Sequence, residues 1–150
     1  MYLLDTNVLS ELRKITADRC DPGVAEWTSG VDQFACFLSA ITVKELEYGV
    51  GMKERRDPRQ GAGLRRWLDQ LLNDWRRSVS VVDAAIARRA ARLHLPDPAP
   101  EADAYLAATA LERGLTMVTR NTANFRRFDG LRLANPWSDA QPEVQRGLGG

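Results

Sequence analysis

The sequence is poor in the residues that build soft-metal and redox sites. It holds two cysteines and one histidine in 150 residues. Cys20 and Cys36 form no CxxC pair, which argues against a Cys/His zinc site, and two distant thiols make no disulfide framework. The lone His94 lacks the partner set of a Ser or Cys triad and reads as a helix-end residue. No apolar run approaches membrane-spanning length. Met1 to Asp5 lacks the basic start and long apolar stretch of a secretory signal, so a cytoplasmic location is expected. Lysine is limited to Lys14, Lys44 and Lys53. The pairs Gly49-Val50-Gly51 and Gly61-Ala62-Gly63 lack the GK[ST] ending of a phosphate-cradling loop.

What is present is an ordinary globular composition, 44% apolar and 27% charged, in a chain long enough for one domain with a real core. The net charge of +1 decides nothing. The kind of positive charge is more informative, because all but three of the 21 basic residues are arginine. Five arginine doublets occur: Arg55-Arg56, Arg65-Arg66, Arg76-Arg77, Arg88-Arg89 and Arg126-Arg127. Guanidinium groups suit bidentate phosphate contacts. Solvated helix faces account for most of them, which leaves a weak pointer to nucleic acid.

Hydrophobic patterning predicts strands at 1–4, 33–40, 78–82 and 115–119, with a short edge strand at 131–133. Between them, helical spacing covers 6–13, 24–28, 42 to about 50, 64–75, 83–93 and 101–113. Residues 53–63, with Pro58, Gly61 and Gly63, read as a mobile loop or frayed helix end. The stretch 95–100 is a proline-rich linker. Asn124, Phe125 and Phe128 fall in the loop after the fourth strand. Residues 138–150 are polar and glycine-rich, and read as a disordered tail after a domain at 1–137. Trp27, Trp67, Trp75 and Trp137 suit a core or a dimer interface better than base-stacking platforms. Strands alternating with helices imply an α/β fold of three layers, α/β/α, with a central, mostly parallel sheet. In such sheets, ligands gather beyond the carboxyl ends of the strands.

Three acids fall at that kind of place. Asp5 ends the first strand, Glu45 lies one turn into the helix after the second, and Asp103 lies in the first turn of the helix before the fourth. Three carboxylates brought to one edge repel one another unless a hard divalent cation neutralises them. A cation held in this way binds a phosphate and activates a water, the chemistry of phosphodiester hydrolysis. Each acid also has a structural reading. Thr42-Val43-Lys44-Glu45 fits a capping box, with Ile41 and Leu46 as its staple, and Asp5 and Asp103 suit helix N-termini. Position favours the site, since Thr6 can cap the first helix and Pro100-Glu101 already serve the later one.

The segments that carry these acids also carry a resemblance. Met1–Leu12 (MYLLDTNVLSEL), Leu38–Gly49 (LSAITVKELEYG), Glu101–Ala110 (EADAYLAATA) and Leu115–Phe125 (LTMVTRNTANF) resemble, in order, the four motifs of VapC-like PIN domains. Ala134-Asn135-Pro136-Trp137 is similar to the family's ending. The resemblance implies a PIN-like fold and an endonuclease, usually acting on RNA, that depends on Mg²⁺ or Mn²⁺ bound by Asp5, Glu45 and Asp103. It also implies a homodimer and a VapB-like antitoxin whose C-terminal segment blocks the site. Asp5 and Asp103 are expected to bind the cation, and Glu45 to bind it or orient its water. Thr119 is a candidate to hydrogen-bond a carboxylate or a metal-bound water and is grouped with the substrate-binding candidates, and Arg120 and Arg13 are candidates for phosphate contacts. The sequence departs from many relatives in the last motif. Asn124 stands where they carry a fourth acid before Phe, with Asn121 after Arg120, so Asn124 is at most a neutral ligand and a second metal is in doubt. Asp129 is close by but fits a turn before Gly130.

Other enzyme readings fare worse. A haloacid-dehalogenase-like site wants a second Asp where Asn7 stands, and a receiver-like site wants a late lysine that is absent. A catalytically weak PIN domain that mainly binds RNA or an antitoxin is the alternative, and Asn124 is what supports it.

Overall fold

The computed structural model of the protein describes residues 1–140. Residues 141–150, most of the expected tail, lie outside the described residues. Five parallel strands form the sheet: β1 (Tyr2–Leu4), β2 (Cys36–Ser39), β3 (Val79–Ser80), β4 (Thr116–Val118) and β5 (Leu133–Ala134). Their order is β3-β2-β1-β4-β5. The chain works outward from β1 to β3, then returns to the other side of β1 for β4. Strand order therefore reverses beside β1, and a crevice opens there at the carboxyl ends of the strands.

Alternation along the strands separates two cores. Leu4, Leu38 and Val118 face helices α1 (Thr6–Leu12), α2 (Pro22–Gly30), α3 (Ala40–Arg56) and α4 (Pro58–Asp74). Leu3 and Met117 face the other way, onto α6 (Glu101–Arg113) and the short α7 (Thr122–Phe125). Helix α5 (Ala84–Leu93) packs outside α6 through Ile86, Ala90, Ala104 and Ala108. The small alanines let the two helices approach closely. The result is the expected three-layer α/β/α fold with a wholly parallel sheet.

Two local expectations are corrected. Residues 53–63 are not a loop. Helix α3 runs on to Arg56, and α4 begins at Pro58 with only Asp57 between them. Asp57 caps α4, accepting from the Gln60 amide at 3.2 Å, and Pro58 at the first helical turn loses no hydrogen bond. Gly61 is buried at the α3–α4 crossing, where a β-carbon would lie 2.5 Å from the Glu54 Cα. It lets the hairpin close rather than breaking it. Arg65 then ties α4 to α3 through Glu47 and Glu54, each at 2.7 Å. The second correction concerns the start of α3. The helix opens at Ala40, with the Ser39 hydroxyl accepting from the Ile41 amide at 3.0 Å. Thr42 is therefore inside the first turn, and Glu45 is released from the capping-box role.

Smaller differences are local. Gln33–Ala35 is a 3₁₀ turn that precedes β2. His94 closes α5, and its Nδ1 accepts from the Ala99 amide at 3.0 Å, which pins the proline linker. Both cysteines are free, and Cys36 is buried. Trp137 is buried in the larger core, with Trp27, Trp67 and Trp75 packed against it. Ser138, at the start of the expected tail, docks on the α2 cap: its amide and hydroxyl donate to Asp21 at 3.0 and 2.6 Å.

Candidate active site

The crevice beside β1 holds a cleft of about 490 Å³ lined by Asp5, Glu45 and Asp103. Three separate elements supply the three acids. Asp5 is the residue between β1 and α1, and its amide donates to the Val118 carbonyl at 3.0 Å, which locks it to the end of β4. Its carboxylate caps α1, accepting from the Thr6 amide at 2.8 Å. Capping was expected of Thr6, and this is a further correction. Thr6 instead donates its hydroxyl to Glu45 Oε2 at 3.2 Å, linking the first acid's helix to the second acid. Asp103 sits in the first turn of α6, whose N-cap Pro100 makes no side-chain cap. No hydrogen bond holds the Asp103 carboxylate among the described residues.

Thr119 completes the setting of Asp5. Its hydroxyl, fully buried, donates to Asp5 Oδ2 at 2.8 Å and accepts from the Asn121 amide at 3.0 Å. Asn7 spans the same corner, its Nδ2 lying 3.4 Å from both Asp5 Oδ2 and Thr119 Oγ1. These bonds fix the carboxylate's direction at a residue only 8% exposed.

The electrostatics are strained in one sense. Burial pushes the Asp5 carboxyl above its ordinary value, and the bonds from Thr119 and Thr6 offset only part of this. Burial also raises Glu45, and the charges of Asp5 and Asp103 add to the rise. Asp103 is raised by burial and by the charge of Asp5. All three carboxyls therefore disfavour charge, and a cation placed among them relieves that cost. Among the described residues, no three Asp, Glu, His or Cys side chains stand together as a ready-made metal cage. The set is open rather than closed. That suits a hard cation of the Mg²⁺ kind, which takes one or two carboxylates and keeps several waters.

The other expected residues divide. Arg120 lines the cleft, its guanidinium 5.5 Å from the centre of the Trp137 ring and 3.5 Å from Asp139. It is the one cation lining the cleft among the described residues. Arg13 does not line it and lies over Trp67 at 6.0 Å. Asn124 is exposed on α7, outside the cleft, whereas Asn121 lines it. Sequence reasoning missed Thr6, Asn7 and Glu11 as lining residues. The first two were legible as neighbours of Asp5. Glu11 was not, because only the fold turns its face of α1 to the cleft. Its carboxylate is held low by the Lys14 ammonium at 2.9 Å and by the Asp21 amide.

Comparison with known proteins adds a separate line of support. A family profile described as PIN domain matches residues 2–131. VapC ribonuclease Y4jK of Sinorhizobium fredii is 34% identical over 151 residues, covering 93% of this chain and all of that protein. Toxin FitB of Neisseria gonorrhoeae is 35% identical, covering 93% of this chain and 100% of its own. Ribonuclease VapC14 of Mycobacterium tuberculosis matches at 48% over 68 residues, 45% of this chain and 63% of that relative's length. The crystal structure of FitAcB from Neisseria gonorrhoeae superposes with a TM-score of 0.80 at 31% identity, covering 92% of this chain and 99% of that one.

Proposed function

This chain belongs to the PIN-domain family, and we propose that it is a VapC-like toxin: an endoribonuclease that hydrolyses RNA phosphodiester bonds with Mg²⁺ or Mn²⁺ at Asp5, Glu45 and Asp103. The observation that carries the proposal is one open cleft at the strand-order switch that three carboxylates from three separate elements line. Full-length similarity to a VapC ribonuclease and to a toxin supports it.

When bound, the divalent cation supplies a Lewis acid that offsets charge developing on the phosphate and makes a water a better nucleophile. Asp5 and Asp103 are the residues that would hold it. Glu45, anchored by Thr6, would hold it or orient a water beside it. Thr119 and Asn7 keep the Asp5 carboxylate aimed into the cleft. Arg120, half-exposed at the rim, is placed to contact a phosphate oxygen, and the Trp137 ring beneath it restrains its side chain. Arg13 does not line the cleft, and we assign it no phosphate contact.

A homodimer, a VapB-like antitoxin that blocks the cleft, and a cytoplasmic location complete the proposal. Among the described residues, no helix is long and apolar enough to cross a membrane. The test is incubation with total RNA in Mg²⁺, in Mn²⁺ and in EDTA, beside an Asp5→Asn variant shown to be folded. Cleavage that needs the metal and is lost in the variant is expected. One observation favours a second reading, a catalytically weak module that mainly binds RNA or antitoxin. The last motif contributes Arg120 and Asn121 to the cleft lining, and no acid. RNA binding without cleavage under any metal condition would select that reading.

A further inference from the structure

Two of the five arginine doublets contribute to one place. Arg89 of α5 and Arg127, just beyond α7, line a second cavity of about 560 Å³, with Arg92 at the end of α5 beside them. Its size lies within the range of about 300–1,000 Å³ typical of small-ligand sites. Helix α6 borders both cavities, with Asp103 at the cleft and Leu111 at the second site. At 1.5 Å per residue, these two residues lie about 12 Å apart along the helix axis.

The three guanidiniums differ in how far they are engaged. Arg89 donates from Nε to Glu112 at 2.6 Å. Arg127 donates to the Pro98 carbonyl at 3.2 Å and to the Asp97 carbonyl, both neutral, so its charge is not cancelled by them. Arg92 is exposed and has no hydrogen bond or ion pair among the described residues. Asp97 and Asp129 also line the cavity, and neither forms an ion pair with these arginines among the described residues. Leu93, Leu95, Pro96 and Leu111 make its apolar wall, while Phe128 is buried beneath the Arg127 guanidinium, which lies 5.6 Å from its ring centre. Guanidinium donors, carboxylate acceptors and an apolar wall are the three kinds of contact that a nucleotide uses: for phosphate, for hydroxyl or amino groups, and for the face of the base.

We propose that this cavity is a nucleotide subsite, in which Arg92 and Arg127 hold a phosphate of the same RNA strand whose scissile bond lies in the cleft. The inference rests on the RNA-cleaving function proposed above. It gives that function a second point of grip on the strand, away from the acids.

The full chain is titrated into a short labelled single-stranded RNA in EDTA, as wild type, Arg92→Gln, Arg127→Gln and the double variant, across a range of salt. The double variant is expected to bind roughly tenfold more weakly, with the slope of log affinity against log salt reduced by about 0.7 for each arginine removed. Arg92→Lys is expected to keep the salt slope and recover part of the affinity. Each variant is checked for unchanged thermal melting, and Arg92→Gln removes no bond of the fold. Cleavage by the same proteins in Mn²⁺ separates the two claims. Equal binding by all variants, alongside metal-dependent cleavage, overturns the subsite and keeps the nuclease. Arginine-dependent binding with no cleavage by any of them, of this RNA or of total RNA, in Mg²⁺ or Mn²⁺, keeps the subsite and overturns the nuclease. Displacement of the RNA by a free nucleoside monophosphate at comparable affinity, or by polyglutamate, overturns the assignment to an RNA strand.

Discussion

Gly61→Ala is expected to destabilise the protein, and Gly63→Ala, two residues along the same helix, to stabilise it. Both glycines lie within α4. A β-carbon at Gly61 meets the Glu54 Cα at 2.5 Å and the Glu54 amide nitrogen at 2.8 Å. These are backbone atoms, so no side chain can rotate away, and α3 and α4 must part by about 1 Å to restore ordinary contact. That loosens the packing of Val50 and Leu68 in the larger core. Overpacking of this kind costs about 1–3 kcal/mol, against about 1 kcal/mol that alanine gains over glycine in a helix. The net expectation is a loss of up to about 2 kcal/mol, or up to about 4–8 °C in Tm for a chain of this size. At Gly63, the nearest atom to a new β-carbon is Arg66 Nη2 at 3.9 Å, an ordinary contact. Only the helix-propensity gain remains there, about 1 kcal/mol or 2–4 °C upward. Thermal melting by circular dichroism reads both. RNA cleavage per folded molecule should be unchanged in each, since neither residue lines the cleft. Equal Tm shifts of the same sign in the two variants would refute the argument, because composition and helix are the same and only the Glu54 contact differs.

Four further outcomes follow from the cleft. In EDTA, Asp5→Asn should flatten the dependence of stability on pH: burial raises Asp5 above its ordinary 3.8, so the folded state binds its proton more tightly, and the associated stability is full below that value and lost as pH rises through the folded one. A melting profile as steep as the wild type's would count against the buried charge. Thr119→Val removes a hydroxyl that bonds a charged carboxylate at 2.8 Å, and should cost about 1.5–3 kcal/mol by urea denaturation while raising the cation concentration needed for cleavage. Mg²⁺ or Mn²⁺ at about 100 times its dissociation constant should stabilise the wild type by about 2.7 kcal/mol, with EDTA reversing the effect and Asp5→Asn abolishing it. Asn121→Asp, which adds charge inside the cleft, should tighten cation binding by calorimetry and lower metal-free stability, whereas Asn124→Asp on the exposed face of α7 should change stability by no more than about 0.5 kcal/mol.

The contrast between Asn121 and Asn124 shows where sequence reasoning reached its limit. Period-two burial was legible in Leu3 and Leu4, and the apolar strand running into Asp5 marked one wall of the cleft. The acids at 5, 45 and 103 were legible as strand-end and helix-start residues. That they share one cleft depends on β4 lying beside β1, a pairing set by long-range packing and not by any local pattern. The same limit explains the α3–α4 hairpin. Pro58, Gly61 and Gly63 match a loop by propensity, yet proline at a first turn and glycine at a close crossing are both helical when the partner helix is present. It explains Glu45 as well. Read locally, Thr42 and Glu45 form a capping box; once Ser39 caps the helix three residues earlier, no backbone amide requires the Glu45 carboxylate, and its hydrogen bond comes from Thr6 instead. A helix terminus already satisfied by another residue leaves its acid available for ligand chemistry. The same holds at Asp103, where Pro100 opens α6 and no cap bond occupies the carboxylate. Asp5 is the exception, because it both caps α1 and faces the cleft. Its two roles divide between its oxygens, with Oδ1 accepting from Thr6 and Oδ2 from Thr119. The cap orients the carboxylate, and the remaining lone pairs are left for a cation.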